Sequence, residues 1–233
     1  MTRWGLGLAA VMCLTPPPPG PTAQGARVAG RVTIQERDNK PSPDLGDAVL
    51  YLEGPGGEGG GDPGVRAVSA AITISDKTYV PHVLVLPLGS TVRFPNLDPF
   101  NHNVFSVSEP NQFDLGLYGR GEAKTHTFTA PGLVRVFCNV HPRMVAYVIV
   151  MANRWYAQPA GDGAFAITDV PPGRYRLHVW HERVAAQLVQ DITVTPQGAG
   201  DLQITLNARG YKWEPHKNKY GRDYPTNAGR ERY

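Results

Sequence analysis

Apolar and polar residues alternate over short stretches along most of the chain between residues 27 and 207. A period of two is typical of half-buried β-strands, and turn-forming residues separate the stretches. No stretch keeps the 3.6-residue period of an amphipathic helix. We therefore predict short strands at Val28–Ile34, Ala48–Glu53, Ala71–Ser75, Val83–Pro87, Thr91–Phe94, Thr125–Phe128, Val134–Phe137, Tyr147–Val150, Gly163–Ile167, Arg174–Trp180, Asp191–Val194 and Leu202–Leu206.

The composition supports this interpretation. The chain has 26 Gly and 22 Pro among 233 residues, about twice the usual share of these turn formers. Hydrophobic residues make up 41% of the chain, which is enough for a packed core. Many short strands joined by turns pack most simply as β-sandwiches, so we predict an all-β fold.

Two segments lack a strand pattern. Residues 54–64 are mostly Gly, and no Gly-Lys-Ser/Thr follows them, so we interpret residues 59–65 as a flexible linker and not as a phosphate loop. Residues 208–233 form a basic aromatic tail with seven Lys or Arg against three Asp or Glu. We expect the tail to be extended; it could dock onto an acidic partner, wrap the protein's own sheets or remain solvated. The net charge of +3 is too small to predict nucleic acid as the main partner.

The N-terminus has the features of an export signal. Arg3 precedes an apolar run over residues 4–14, and Ala23-Gln24-Gly25 provides small residues for cleavage. The run is too short to span a bilayer, and no later run is longer. We predict a signal peptide over residues 1–25 and a periplasmic mature protein without a transmembrane span. The alternative is an uncleaved, membrane-associated N-terminus.

The candidate chemistry centres on one cysteine. The chain has two Cys, and removal of the signal would leave Cys138 without a partner in an oxidising compartment. Cys138, His141 and Met144 follow the pattern C-x2-H-x2-M between two predicted strands, so one short turn brings three potential ligands together. His102, after an earlier strand, is the candidate for the fourth ligand.

The ligand types favour copper over other metals. One thiolate, two imidazoles and a thioether are the ligands of a mononuclear type 1 (blue) copper site. Zinc also accepts Cys and His, but a thioether is a poor fourth ligand for it. Taken singly, a buried Cys or Met is more often an ordinary core residue, and only the combination indicates a metal site.

At these residues the chain resembles a known family. Residues 66–152 resemble a cupredoxin of the plastocyanin/amicyanin type, a Greek-key β-sandwich. The matching stretches are 79–81, 85–96, 102–105, 121–132 and 137–144. The resemblance implies one type 1 copper held by His102, Cys138, His141 and Met144. Residues 106–120 match no pattern of the family.

A second resemblance covers most of the remaining strands. Residues 161–165 and 170–177 resemble the transthyretin-like regulatory domain of carboxypeptidases, a small β-sandwich. The strands within residues 27–58 also fit the start of that domain. We therefore expect a discontinuous domain, 27–58 plus 153–207, with the cupredoxin domain inserted; alternatively, 27–58 extends the cupredoxin sheet. The combination resembles exported methylamine-utilisation-like proteins.

The resemblance implies single-electron transfer between periplasmic redox partners, such as a c-type cytochrome, a dehydrogenase or a membrane electron-transfer complex. No catalytic triad, carboxylate pair or phosphate loop stands out, so we do not expect an enzyme. We expect Asn103 and Asn139 to support the ligand loops. His141 and Pro142, with Phe100 or Phe105 nearby, would form the electron port and docking patch.

A non-enzymatic scaffold role remains the alternative function. In that case the chain would be a binding subunit of a membrane-attached redox complex, with copper auxiliary or absent. The basic aromatic tail motivates this hypothesis. The remaining histidines, His82, His126 and His216, we interpret as structural or surface residues, and His178 and His181 point to opposite faces of a strand.

Overall fold

The computed structural model describes residues 25–37, 40–54 and 64–225. The predicted signal peptide, apart from Gly25, most of the predicted linker and the last eight residues of the tail lie outside the described residues, so these parts stay predictions. The strands are β1 (Ala26–Gln35), β2 (Val49–Glu53), β3 (Ser69–Ala71), β4 (Thr73–Ser75), β5 (Thr78–Val80), β6 (Val83–Pro87), β7 (Thr91–Pro95), β8 (His102–Ser106), β9 (Phe113–Tyr118), β10 (Ala123–Thr127), β11 (Gly132–Cys138), β12 (Val145–Met151), β13 (Tyr156–Ala157), β14 (Ala164–Val170), β15 (Gly173–Trp180), β16 (Leu188–Val194) and β17 (Ala199–Asn207).

The prediction of an all-β fold is confirmed. Within the described residues the only helical segment is one turn of 3-10 helix, Leu45–Asp47. No described helix has the length and apolar character needed to cross a membrane. The strands fall into two sandwiches, which we call the middle sandwich (residues 66–152) and the split sandwich (residues 26–53 with 156–207).

The middle sandwich packs two main sheets against each other. One has the strand order β10-β7-β3 and the other β6-β12-β11-β8-β9. Their facing side chains form one core that includes Phe94 and Val136. Ile74, from the separate two-stranded sheet β4-β5, and Phe128, just after β10, belong to the same core. Strand β11 shows how this core arises: its buried positions alternate with more exposed ones, as the sequence pattern requires of a strand with one face on a core.

The split sandwich is built from both ends of the described chain. Strand β1 lies between β14 and β17, and β2 lies between β13 and β15. The two sheets, β14-β1-β17 and β13-β2-β15-β16, enclose a second core. The two N-terminal strands therefore pair with strands that follow residue 152 and with none of the middle sandwich.

A third, smaller cluster joins the sandwiches. Val49 of β2 packs with Val83 of β6 and with Ile149 and Met151 of β12. Strand β12 thus has one face in the core of the middle sandwich and the other against the split sandwich. Burial on both faces explains why the sequence of this strand is continuously apolar.

Candidate metal centre

Three of the four predicted ligands, two histidines and a cysteine, come from two neighbouring strands and the loop between β11 and β12. Cys138 is the last residue of β11, where the alternation that buries Val134 and Val136 also turns its side chain into the core. His102 is the first residue of β8, which pairs with the end of β11. The loop 139–144 is short because β11 and β12 are antiparallel neighbours, and this places His141 close to Cys138.

The ligand atoms converge on one point. His102 Nδ1 lies 3.5 Å from Cys138 Sγ, and His141 Nδ1 lies 3.6 Å from the same sulfur. All three ligand atoms are within 4.8 Å of one another. His102 and Cys138 have no exposed surface, and His141 is 5% exposed.

These separations fit two ligands of a single ion. Metal–nitrogen and metal–sulfur bonds of about 2.0–2.3 Å that meet near the tetrahedral angle put the two donor atoms about 3.6 Å apart. Met144 is buried in the same core cluster as Cys138, and its backbone carbonyl accepts a hydrogen bond from the Cys138 N–H. The donor set and its geometry therefore suit a thiophilic transition metal.

Burial and backbone N–H groups act in opposite directions on the Cys138 sulfur. Burial raises the pKa of the Cys138 thiol, while backbone N–H groups of Asn103, Val140 and His141 lower it. The Val140 N–H donates to the sulfur at 3.4 Å. Without a cation the burial effect dominates, so a bound metal ion would supply the charge that favours the thiolate.

An aspartate that the sequence did not indicate orients His102. The Nε2–H of His102 donates to Asp98 Oδ2 at 2.8 Å, and both side chains are buried. The carboxylate also accepts the backbone N–H groups of Asp76 and Lys77. With its proton on Nε2, the ring presents the Nδ1 lone pair to the sulfur side, as a metal ligand must. Burial lowers the pKa of His102, and Asp98 partly offsets this shift.

The two asparagines lie beside the ligands, and a hydrogen bond between their backbones links the two ligand segments. The backbone of Asn139 donates to the carbonyl oxygen of Asn103 at 2.9 Å, so the main chain links the two ligand segments. The Asn103 side chain instead donates to Asp114 Oδ1 of β9 at 2.6 Å. Strand β9 lies in the stretch 106–120, for which the sequence offered no pattern.

The predicted port residues lie at one end of the site. Phe100 stands against both imidazoles, with ring centroids 5.2 Å from His102 and 5.5 Å from His141. Pro142 is partly exposed. Phe105 is buried and packs against Phe137 on the far side of β8, so it does not belong to this surface.

The other histidines have structural surroundings. His126 stacks on Phe113, and His178 stacks on Tyr51 and binds Glu53. His181 is buried beside Asp44, and His82 pairs with Glu182. His216 stacks on Phe137 directly behind the ligand loop, a position that its place in a polar tail did not indicate.

One protein-family model matches a part of the split sandwich. Residues 152–202 match the family model described as polysaccharide lyase family 4, domain II. The transthyretin-like character of this region therefore stays a prediction. No curated protein matches the chain.

Solved structures similar to this chain include copper proteins. A Cu-containing nitrite reductase from Thermus scotoductus SA-01 is 30% identical over 35% of this chain, with a TM-score of 0.34, and the match spans only 22% of the reductase chain. A purple cupredoxin from Nitrosopumilus maritimus is 28% identical over 35% of this chain and 98% of its own, with a TM-score of 0.32. An amicyanin mutant in the reduced state is 27% identical over 35% of this chain and 81% of its own, with a TM-score of 0.33. With TM-scores below 0.5, these likenesses carry no conclusion about function.

Proposed function

We propose that this chain is an exported type 1 copper protein that transfers single electrons between periplasmic redox partners and catalyses no reaction of its own. The observation that carries the proposal is the convergence of His102 Nδ1, Cys138 Sγ and His141 Nδ1, three side chains that are buried together. Met144 lies in the same core cluster as Cys138 and would be the fourth ligand. A copper ion in this site would supply one-electron redox chemistry.

The chain's own residues hold the site in one geometry. Asp98 fixes the ring of His102, backbone N–H groups point at the sulfur, and the β-frame anchors both ligand segments. A rigid frame suits electron transfer because little has to move when the charge of the site changes. Burial of the ligands keeps water away from the thiolate.

His141 and Pro142 are the proposed route for electrons. His141, at 5%, is the most exposed of the four predicted ligands, and Pro142 beside it reaches the surface. A c-type cytochrome, a dehydrogenase or a membrane electron-transfer complex would dock at this end of the middle sandwich. Phe100 would add apolar contact area there.

The absorption spectrum and metal content of the copper-loaded chain test the proposal. We expect about one copper per chain and a strong visible band from thiolate-to-Cu(II) charge transfer, both lost in Cys138→Ser. Val68→Ser is the control and keeps the band, because Val68 is an exposed residue of the middle sandwich and is not one of the four predicted ligands. A colourless chain that holds its full copper would contradict the proposal, and preferential retention of zinc would identify a zinc site instead.

A redox titration tests the transfer step. The coloured chain should accept one electron from a reductant and pass it to an oxidised c-type cytochrome with recovery of the band. If the chain stays reduced with every such acceptor, while Cys138→Ser still assembles into a membrane-attached complex, the scaffold role is the correct one.

A further inference from the structure

The tail lies along the ligand loop. From Trp213 to Tyr224 it contacts four positions of the segment 138–144. Tyr224 Oη donates to the carbonyl oxygen of Cys138 at 2.8 Å, and the Lys219 N–H donates to Asn139 Oδ1 at 3.0 Å. His216 Nε2 lies 3.3 Å from the carbonyl oxygen of His141, and the Arg143 guanidinium stands 4.7 Å from the Trp213 ring.

One residue of the tail closes a ring of hydrogen bonds around the site. Lys219 Nζ lies 2.6 Å from Asp114 Oδ2, and the other oxygen of Asp114 accepts the Asn103 side chain. The carbonyl of Asn103 accepts the Asn139 N–H, and the Asn139 side chain accepts the Lys219 N–H. The cycle Asn103–Asp114–Lys219–Asn139 thus links the two ligand segments, β9 and the tail.

Aromatic packing adds a second attachment. The His216 ring stacks on Phe137 at 4.5 Å between centroids and meets Tyr224 edge-on at 5.4 Å. Phe137 precedes Cys138 and points away from the core, where its ring packs against Phe105 and is further covered by the His216 ring of the tail. The tail therefore covers the outer side of the strand end that holds the sulfur.

We propose that residues 213–224 act as a clamp that holds the ligand loop closed and slows the loss of the metal. Lys219 and Tyr224 are positioning residues: they touch the backbone or the neighbours of the ligands and not the ion. The clamp deepens the proposed copper function and rests on it.

The physical reason is the way a ligand loop releases its ion. Loss of the metal requires the segment 138–144 to open, and each tail contact has to break when it does. Partners that orient metal ligands typically change metal affinity by about 10–100-fold when they are removed. A loop tied at four positions should therefore open less often than the same loop without its tail.

The test uses a truncation and a point variant, each with a matched control. The chain truncated after Gly210 lacks the clamp, whereas the chain truncated after Pro225 keeps it. Lys219→Ala opens the hydrogen-bond ring, and Lys212→Ala removes an exposed Lys of the same tail. The first measurement is the alkylation rate of Cys138 by iodoacetamide in the metal-free protein, followed by mass spectrometry of the peptide that carries it.

The second measurement is the rate at which the Cu(I)-loaded chain loses copper to a chelator, together with the energy of the Cu(II) charge-transfer band. We expect truncation after Gly210 to raise the alkylation rate of Cys138 and the rate of copper loss by about tenfold or more. It should also shift the charge-transfer band. Lys219→Ala should have a smaller effect in the same direction, and the two controls should match wild type.

Unchanged alkylation and copper-loss rates in both clamp variants would overturn the proposal. Faster alkylation with unchanged copper loss would also overturn it, because the clamp would then not serve the metal. If the wild-type chain binds no copper, the proposed function fails, and the alkylation rates alone decide whether the tail closes the loop.

Discussion

At the scale of single residues, the site depends on a buried carboxylate as much as on its ligands. Asp98 receives three hydrogen bonds, from the backbone of Asp76 and Lys77 and from the His102 ring. Burial alone would raise the pKa of Asp98, but these hydrogen bonds outweigh it and keep the pKa below its ordinary value. A charged carboxylate strengthens the His102 hydrogen bond and makes the ring a better ligand.

Replacement of this carboxylate should weaken metal binding without unfolding the protein. In Asp98→Asn, the amide NH2 group would face at least one of the three N–H groups that donate hydrogen bonds to the Asp98 carboxylate. Because two donors cannot pair, the His102 ring loses its fixed orientation. We expect copper affinity to fall by about 10–100-fold in a competition titration with a chelator. Asp76→Asn is the control, because Asp76 is exposed and Asn tolerates its positive φ of 52°. Equal affinities for Asp98→Asn and wild type would contradict this role of Asp98.

At the scale of elements, close backbone contact joins the first and last strands of the split sandwich. A Cβ on Gly30 of β1 would stand 2.0 Å from the carbonyl oxygen of Leu202 in β17. Only glycine, which has no Cβ, lets the two backbones lie this close together. The register between these strands shifts between Val28 and Gly30, so the contact coincides with an irregularity in the pairing.

Gly30→Ala should therefore destabilise the split sandwich and leave the metal site intact. We expect the free energy of unfolding in urea to fall by about 1–3 kcal/mol, because β1 and β17 must separate to admit the methyl group. Gly200→Ala in β17 is the matched control, since its Cβ would meet nothing within 4 Å. The visible copper band should be the same in all three proteins. Equal stability of Gly30→Ala and Gly200→Ala would show that the strands adjust freely.

At the scale of the whole molecule, an ion pair supports the apolar junction between the sandwiches. His82 Nε2 lies 2.8 Å from Glu182 Oε1, and one residue belongs to each sandwich. Burial alone would lower the pKa of His82 and raise that of Glu182. The hydrogen bond and opposite charge of the pair outweigh burial, so the pKa of His82 is raised and that of Glu182 lowered.

The sign of these shifts predicts the pH dependence of stability. The contribution of His82 is fully present below its unfolded pKa of about 6.5 and is lost as pH rises through the raised folded value. Glu182→Gln should therefore lower stability by about 1 kcal/mol at pH 6 and by less at pH 8, as measured by urea unfolding. Glu214→Gln, in the exposed part of the tail, should change neither value. A difference between wild type and Glu182→Gln that grows with pH would contradict the assignment.

The sequence by itself determined most strands and nominated the ligands. Alternation locates a strand wherever one face is buried, and the C-x2-H-x2-M spacing brings three side chains together without any long-range information. Strands β5, β8, β9 and β13 were not predicted. Strand β8 is buried along its whole length and has no alternation, β9 is irregular, and β5 and β13 have only three and two residues.

Only the tertiary structure decided how the ligands are supported. Asp98 is near His102 in sequence, but its orientation depends on the backbone of β4–β5, and Asp114 meets Lys219 from 105 residues away. The pairing of β1 with β14 and β17 likewise joins segments more than 130 residues apart. Local patterns specify which residues face a core, whereas long-range pairing decides which of those residues meet. In the sequence, a carboxylate or a lysine that supports a metal ligand cannot be told from any other polar residue.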